Sequence, residues 1–361
     1  MPPSRVLVVD DSVVIRKLLT NLLESDPEIR VVGTAPNGKI ALAKIKQLNP
    51  DLVTLDMEMP EMDGLETLTE IKKINPFLPV IMCSSLTVRG GEVTLEALAR
   101  GADDYVAKPT EMSNLEEATR KLGHDILPKI KALLKRKKPN RPINTIISSP
   151  KVRPPTIQAK VDILAIGAST GGPNALTDLL CLLPQNFPVP IVIVQHMPPL
   201  FTRLLAERLT AKSKLFVKEG KDGEELKPGY AWVAPGNFHM EIVKNGAKKI
   251  IRLNQNLPEN SCRPAVDVLF RSVSQIFGPN VLSVILTGMG HDGLSGSKDI
   301  VSNGGVLLAQ DEDSSVVWGM PGAVVEAGLA SVVKPIDQLA AEIVKRVKNQ
   351  IPSMIRQGEQ L

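Results

Sequence analysis

Residues Gly167-Ala168-Ser169-Thr170-Gly171 hold a serine between small neighbours in the pattern G-x-S-x-G. The pattern suits attack on a carbonyl: small residues let a substrate approach the backbone, and nearby N–H groups can hold the oxyanion that forms. Taken alone, it equally describes a glycine-rich turn between a strand and a helix. A serine becomes a nucleophile only beside a base that a carboxylate orients. The chain has four histidines. His124 lies near a basic, proline-containing stretch and is expected to be exposed. His239 follows Asn237-Phe238 in a turn-rich segment, where it could touch a substrate. His291 sits within Gly288-Met289-Gly290-His291-Asp292-Gly293. His196 closes the apolar run Ile191–Gln195, and Met197-Pro198-Pro199 behind it forms a rigid stop, which makes it the best-placed base. Asp292 follows the run Val281–Leu286 and is the matching acid; its competing role is to cap a helix over Gly293–Ile300.

A second set of groups could handle phosphate. Asp10 and Asp11 close one apolar run, Asp56 another, Ser84 a third and Lys108-Pro109 a fourth. Three carboxylates brought together repel one another unless a cation intervenes, and carboxylates with water suit Mg²⁺. One carboxylate could then attack phosphorus and become an aspartyl phosphate. Lys108 would pair with a phosphoryl oxygen and Ser84 would donate to another. Any one of these acids alone would read as a solvated loop residue.

Both sets depend on strands that end at a common edge. Short β-branched runs at Arg5–Val9, Ile29–Val32, Leu52–Leu55, Val80–Met82 and Tyr105–Ala107 alternate with helical patterns such as Val14, Ile15, Leu18, Leu19 and Leu22. Such alternation predicts a parallel, doubly wound α/β sheet with its site at the carboxyl ends of the strands. From about Lys135 to Lys160 the chain turns to Pro, Lys, Arg, Ser and Asn without periodicity, the composition of a linker. Strands resume at Ile163–Ile166, Ile191–Val194, Val281–Leu286 and Val306–Leu308, separated by helices such as Phe201–Leu209 and Val266–Ile276, which predicts a second doubly wound α/β domain. The order Ser169, His196, Asp292 is not the serine–acid–histidine order of an α/β-hydrolase. A dinucleotide fingerprint also fails, because G-x-G-x-x-G needs glycine where Ser169 stands.

Composition narrows the classes. The 361 residues suffice for two cores, and no apolar stretch is long enough to cross a bilayer. Met1-Pro2-Pro3-Ser4 carries no cleavable signal pattern. Cys83, Cys181 and Cys262 are scattered, which argues for a reducing cytoplasm and against structural zinc. A formal charge of +4, concentrated in Lys135-Arg136-Lys137-Lys138, does not imply nucleic-acid binding.

The motifs Asp10-Asp11, LDMEMPEMDG at 55–64, Ser84-Ser85 and Lys108-Pro109 resemble a response-regulator receiver domain. The segments IGASTGGP, QHMPPLFTRLLAERL, LKPGYAWVAPGNFH, RPAVDVLF, ILTGMGHDG and AQDEDSSVVWGMPGAV resemble the catalytic domain of the chemotaxis methylesterases, the CheB family. The resemblance implies a flavodoxin-like five-stranded receiver over 1–122, a tether over 123–160, a methylesterase domain over 161–350 and a tail over 351–361. It implies that Asp56 accepts a phosphoryl group from a histidine kinase, with Asp11 and Asp56 as Mg²⁺ ligands, assisted by Asp10 and the Glu58 carbonyl. Ser84 and Tyr105 match the receiver switch pair. It further implies Ser169 as nucleophile, His196 as base and then acid, and Asp292 as orienting carboxylate. The Met289 N–H would serve as oxyanion donor, with Thr170 lining the pocket and no cofactor for ester hydrolysis. Leu200 departs from the glycine expected after the two prolines. The implied activity is hydrolysis of glutamate methyl esters, and deamidation of glutamines, on methyl-accepting chemoreceptors. The unphosphorylated receiver would cover the cleft. Two rivals stay open: a receiver-controlled amidase or esterase on another protein, and a regulator whose second half only binds. The binding rival needs a helix-turn-helix or basic face, and none is visible after Lys160.

Overall fold

The computed structural model describes residues 2–85, 87–108, 115–135 and 160–348. Pro109, the basic residues 136–138, the linker prolines and the tail at 351–361 lie outside the described residues. The chain divides into two compact units, Met1–Arg141 and Pro142–Leu361.

In the first unit, β1 (Ser4–Val9), β2 (Ile29–Ala35), β3 (Leu52–Asp56), β4 (Val80–Ser84) and β5 (Asp104–Ala107) form a parallel sheet in the order β2-β1-β3-β4-β5. Helices α1 (Val13–Glu24), α2 (Gly38–Leu48), α3 (Gly64–Ile74), α4 (Val88–Ala99) and α5 (Leu115–Leu134) make the connections and close the unit. Helices bury both faces of the sheet, so β1, β3 and β4 are buried almost throughout and largely apolar. The helix starts are locally encoded: Ser12, Asn37, Asp63 and Thr87 each accept a backbone N–H of the first turn. Each such cap contributes about 1 kcal/mol. The strand order reverses between β1 and β3, which opens the crevice where Asp10 and Asp56 sit. Helix α5 runs on to Leu134, so residues 123–134 are helix where a tether was expected. Charged residues spaced along that stretch hide its helical pattern.

In the second unit, β6 (Ile163–Ala168), β7 (Ile191–Gln195), β8 (Phe216–Glu219), β9 (Tyr230–Val233), β12 (Val281–Ile285), β13 (Val306–Gln310) and β14 (Val332–Lys334) form one parallel sheet. Their order is β14-β13-β12-β6-β7-β9-β8. Between β9 and β12 the chain makes an antiparallel hairpin, β10 (His239–Asn245) and β11 (Lys248–Asn254), that packs on α8 (Val266–Phe277). Helices α6 (Gly172–Cys181), α7 (Phe201–Lys212), α9 (Leu294–Ser302), α10 (Met320–Glu326) and α11 (Ile336–Lys348) complete the unit. Trp232, Phe270, Val192 and Leu269 are almost wholly enclosed, and each contributes ~1.5–3 kcal/mol or more on burial. The strands β12, β6 and β7 are neighbours at the centre, and their carboxyl ends lead to Asp292, Ser169 and His196. No helix among the described residues is long and apolar enough to cross a membrane.

Leu200 enters α7 with φ +74 and ψ −47, a strained backbone region near the γ-turn that glycine occupies most easily. This explains why glycine is expected there. Leu200→Gly should leave stability unchanged or raise it by up to about 1 kcal/mol in urea unfolding, whereas a half-buried loop leucine at ordinary φ would lose stability.

Candidate active site and phosphorylation site

Ser169 follows directly on β6. Its N–H donates to Thr287 O (3.0 Å), and its carbonyl accepts from Gly172 N–H (2.7 Å) and Gln195 Nε2 (2.9 Å). Gly171 takes φ +75 and brings in the N-terminus of α6, so the half-buried serine stands on a tight strand-to-helix turn. Position 288 also requires glycine, because a Cβ there would lie 2.9 Å from the Ser169 Cβ and 2.4 Å from the Met320 sulfur. Met289 follows, and its N–H donates no hydrogen bond among the described residues. Thr170 is buried, with its carbonyl accepting from Thr287 Oγ1 at 2.9 Å.

In the sheet register Ala168 pairs with Gln195, so Ser169 and His196 are the next positions on neighbouring strands, roughly 5 Å apart along the backbone. His196 N–H donates to Ala168 O at 3.3 Å, and its ring Nε2 meets Asp292 Oδ2 at 2.7 Å. Burial alone would lower the imidazole pKa, but the hydrogen bonds to Asp292 and Cys262 outweigh it and raise the pKa above the usual value. Asp292 is 3% exposed. Its Oδ2 also accepts from Val266 N–H (2.6 Å), and its Oδ1 accepts from Asp267 N–H (3.1 Å), Gly293 N–H (3.0 Å) and Asn260 Nδ2 (2.9 Å). Burial pushes this carboxyl up, yet His196 and the backbone donors bring it down to about 2. The competing capping role is therefore real but lies elsewhere: Asp292 caps α8, while α9 has no side-chain cap.

In the first unit, carboxylate oxygens of Asp10, Asp11 and Asp56 lie within 4.8 Å of one another. Lys108 Nζ reaches Asp10 Oδ2 at 2.8 Å and Asp56 Oδ1 at 2.6 Å. Burial raises the Asp56 carboxyl to about 6 despite Lys108. Its other oxygen, Oδ2, is buried without a hydrogen-bond partner, the condition a cation would relieve. Ser84 is buried at the end of β4, and its hydroxyl is turned onto α4, donating to Gly90 O (3.2 Å) and accepting from Thr94 Oγ1 (2.6 Å). Tyr105 is turned inward, 6% exposed, with Lys129 Nζ 5.2 Å from its ring centre and 2.7 Å from its carbonyl.

Residues 164–343 match the CheB methylesterase family, and residues 6–120 match the response regulator receiver domain. A protein-glutamate methylesterase/protein-glutamine glutaminase of Trichodesmium erythraeum is 50% identical over 351 residues, covering 96% of this chain and 100% of that protein. The chain belongs to the CheB methylesterase family. A Nocardioides relative of the same name is 49% identical over 368 residues, covering 99% of both chains. The Thermotoga maritima CheB methylesterase catalytic domain has a similar crystal structure, at 43% identity and TM-score 0.51, covering 52% of this chain and 99% of that one.

The other three histidines do not join the His196–Asp292 pair. His239 is enclosed, with Nδ1 accepting from Ala265 N–H (3.3 Å) and Nε2 meeting Leu257 O (3.1 Å), so it is not the substrate contact considered above. His124 and His291 are exposed. Three residues near the His–Asp pair escaped sequence reasoning. Asn260 Nδ2 bridges Asp292 and Asp267 Oδ2 (3.0 Å), Asp267 Oδ1 accepts from Gly296 N–H (2.6 Å), and Cys262 Sγ lies 3.6 Å from His196 Nδ1. Burial raises the Asp267 carboxyl, and the neighbouring Asp292 charge adds to this.

Asp292→Asn should lower kcat by roughly 10³- to 10⁴-fold by releasing the imidazole tautomer. Because the carboxyl sits near 2 in the folded chain against 3.8 unfolded, its contribution is full above about pH 4 and fades as pH falls toward 2. The variant should therefore melt below the wild type at neutral pH, with the gap narrowing through that window in a thermal scan.

Proposed function

We propose that Ser169, His196 and Asp292 are the catalytic triad of this enzyme, acting on glutamate methyl esters and glutamine carboxamides of chemoreceptors in chemotaxis adaptation. The observation that carries the reading is the convergence of three adjacent strands, β12, β6 and β7, with His196 Nε2 held by Asp292 at 2.7 Å. Since Asp292 occupies Nε2, Nδ1 is the nitrogen that accepts the Ser169 proton as Oγ attacks the ester carbonyl. The oxyanion is held by backbone donors, among them the Met289 N–H. His196 then gives its proton to the leaving methoxide, which departs as methanol, and water, deprotonated by the same nitrogen, releases the acyl group as glutamate. With a carboxamide the leaving group is ammonia and every other step is shared.

The CheB family acts on chemoreceptors, and receiver domains are phosphorylated by histidine kinases. For this chain we assign the phosphoryl group to Asp56, with Asp11 and Asp56 holding Mg²⁺ and Asp10 assisting from the buried side. The bound ion would supply charge neutralisation at a cluster that Lys108 only partly balances. Lys108 would pair with a phosphoryl oxygen, and Ser84 would leave Gly90 to donate to another as Tyr105 repacks. A cytoplasmic setting fits three unpaired thiols. The tether is assigned to residues after α5 and up to Lys160, and the esterase domain to 161–350.

Ser169→Ala should abolish methanol release from methylated receptor membranes while the melting profile stays that of the wild type. Full activity in this variant would overturn the triad. A chain beginning near Lys160 should release methanol faster than unphosphorylated full-length enzyme, and Asp56→Asn should remove the response of the full-length enzyme to a small-molecule phosphodonor. Equal rates in the first comparison would remove receiver restraint from the reading.

A further inference from the structure

Residues 259–262 form a two-residue turn whose geometry has a direct bearing on His196. Glu259 N–H donates to Cys262 O (3.1 Å), and Cys262 N–H donates to Glu259 O (2.8 Å). The two residues between them, Asn260 (φ +53) and Ser261 (φ +62), are both left-handed, the conformation of a type I′ turn. The turn is anchored from α8, where Arg271 Nη1 donates to Glu259 Oε1 at 2.7 Å. It presents two side chains to the site. Asn260 grips Asp292, and Cys262 places its sulfur 3.6 Å from His196 Nδ1. Both ring nitrogens of His196 are thereby contacted, Nε2 by the acid and Nδ1 by the thiol.

We propose that Cys262 is a positioning residue for the esterase reaction, holding the His196 imidazole through Nδ1 in the orientation from which it exchanges a proton with Ser169. The inference rests on reading Ser169, His196 and Asp292 as the triad. A thiol suits the place because sulfur is both a weak donor and a weak acceptor. With the ring neutral, S–H donates to Nδ1. Once the ring carries the proton, Nδ1–H donates to sulfur. The pairing survives either state, and it is weak enough to give way to the serine hydroxyl or the leaving group at little cost. Alanine would leave the ring free to turn about its bond to Asp292. Serine would keep a group that both donates and accepts.

The charged groups facing the ring are Asp292 from the loop before α9 and, behind it, Asp267 on α8; the turn contributes Cys262. The hydrogen bond between His196 and Cys262 raises the imidazole pKa, so its removal should move the acid limb of kcat/KM to lower pH, by roughly the one unit over which protein surroundings ordinarily spread histidines. The test compares Cys262→Ala and Cys262→Ser with the full-length wild type in methanol release from methylated receptor membranes. Cys262→Ala should lower kcat by roughly two- to tenfold, the worth of one hydrogen bond, with KM unchanged and the acid limb displaced. Cys262→Ser should recover part of kcat. Wild-type kcat and pH profile in both variants, or a serine variant no better than the alanine one, would overturn the proposal. Should the alanine variant fail to fold, the serine variant decides, and an undisplaced acid limb counts against the role.

A second measurement separates this inference from the triad itself. In Ser169→Ala enzyme labelled with ¹⁵N-histidine, adding Cys262→Ala should shift the Nδ1 resonance of His196 and leave the other three histidines in place. An unmoved resonance overturns the positioning role even if Ser169→Ala is inactive. Activity in Ser169→Ala overturns the triad whatever Cys262 does.

Discussion

The Asp292 carboxylate is the group on which the catalytic unit is organised. A buried charge is tolerated only when its lone pairs are filled, and this one collects donors from three other segments and from the next residue of its own loop. They are the ring of His196 after β7, the first N–H groups of α8, Gly293 before α9, and Asn260 on the type I′ turn. The N-terminus of α8 adds the favourable end of its dipole. Fixing one carboxylate therefore fixes α8, the loop after β12 and the turn at 259–262 against one another. The same contacts hold the His196 ring by its Nε2.

Asp56 shows the opposite solution to the same topological position. Both acids lie at the carboxyl edge of a parallel sheet, and both are almost fully enclosed. Asp292 is surrounded by donors and sits at about 2; Asp56 is left with one bare oxygen and sits at about 6, because burial outweighs Lys108. The first is held as a charge by its donors. The second is a carboxylate destabilised by burial, with one oxygen left without a hydrogen-bond partner. Environment, rather than residue type, sets the two carboxyls on opposite sides of their ordinary value.

The parts legible in the sequence are those that short-range rules govern. Buried parallel strands spell continuous apolar runs, so the ends of β1, β3, β6 and β7, and with them Asp10, Asp56, Ser169 and His196, could be placed by pattern alone. Strands of three or four residues such as β8, β9 and β14 have no room for a pattern, and α5 is obscured by its charged face. Asp292 is legible as the acid that follows β12, with a competing role as cap of the helix beside it. Its true partner, Val266, is 26 residues away and becomes a neighbour only through the fold. Asn260 and Cys262 are invisible for the same reason: in a polar, proline-containing loop they signal a turn and nothing more.

The distribution of backbone strain supports the same division. Among the described residues of the catalytic unit, the non-glycine positions at positive φ are Leu200, Asn237, Asn260 and Ser261. Each lies in a loop or turn linked to the catalytic edge. Leu200 follows His196 by way of two prolines, and Asn260 and Ser261 form the turn that grips Asp292. Asn237 is tied to the adjoining chain by accepting from Arg263 Nη2 at 2.6 Å. Strain of this kind persists only where surrounding contacts over-determine the backbone. For the turn at 260–261 those contacts are the Asn260–Asp292 hydrogen bond and the Glu259–Arg271 pair. The energy that secures one buried carboxylate thus also holds the turn at 259–262 in the shape that meets His196.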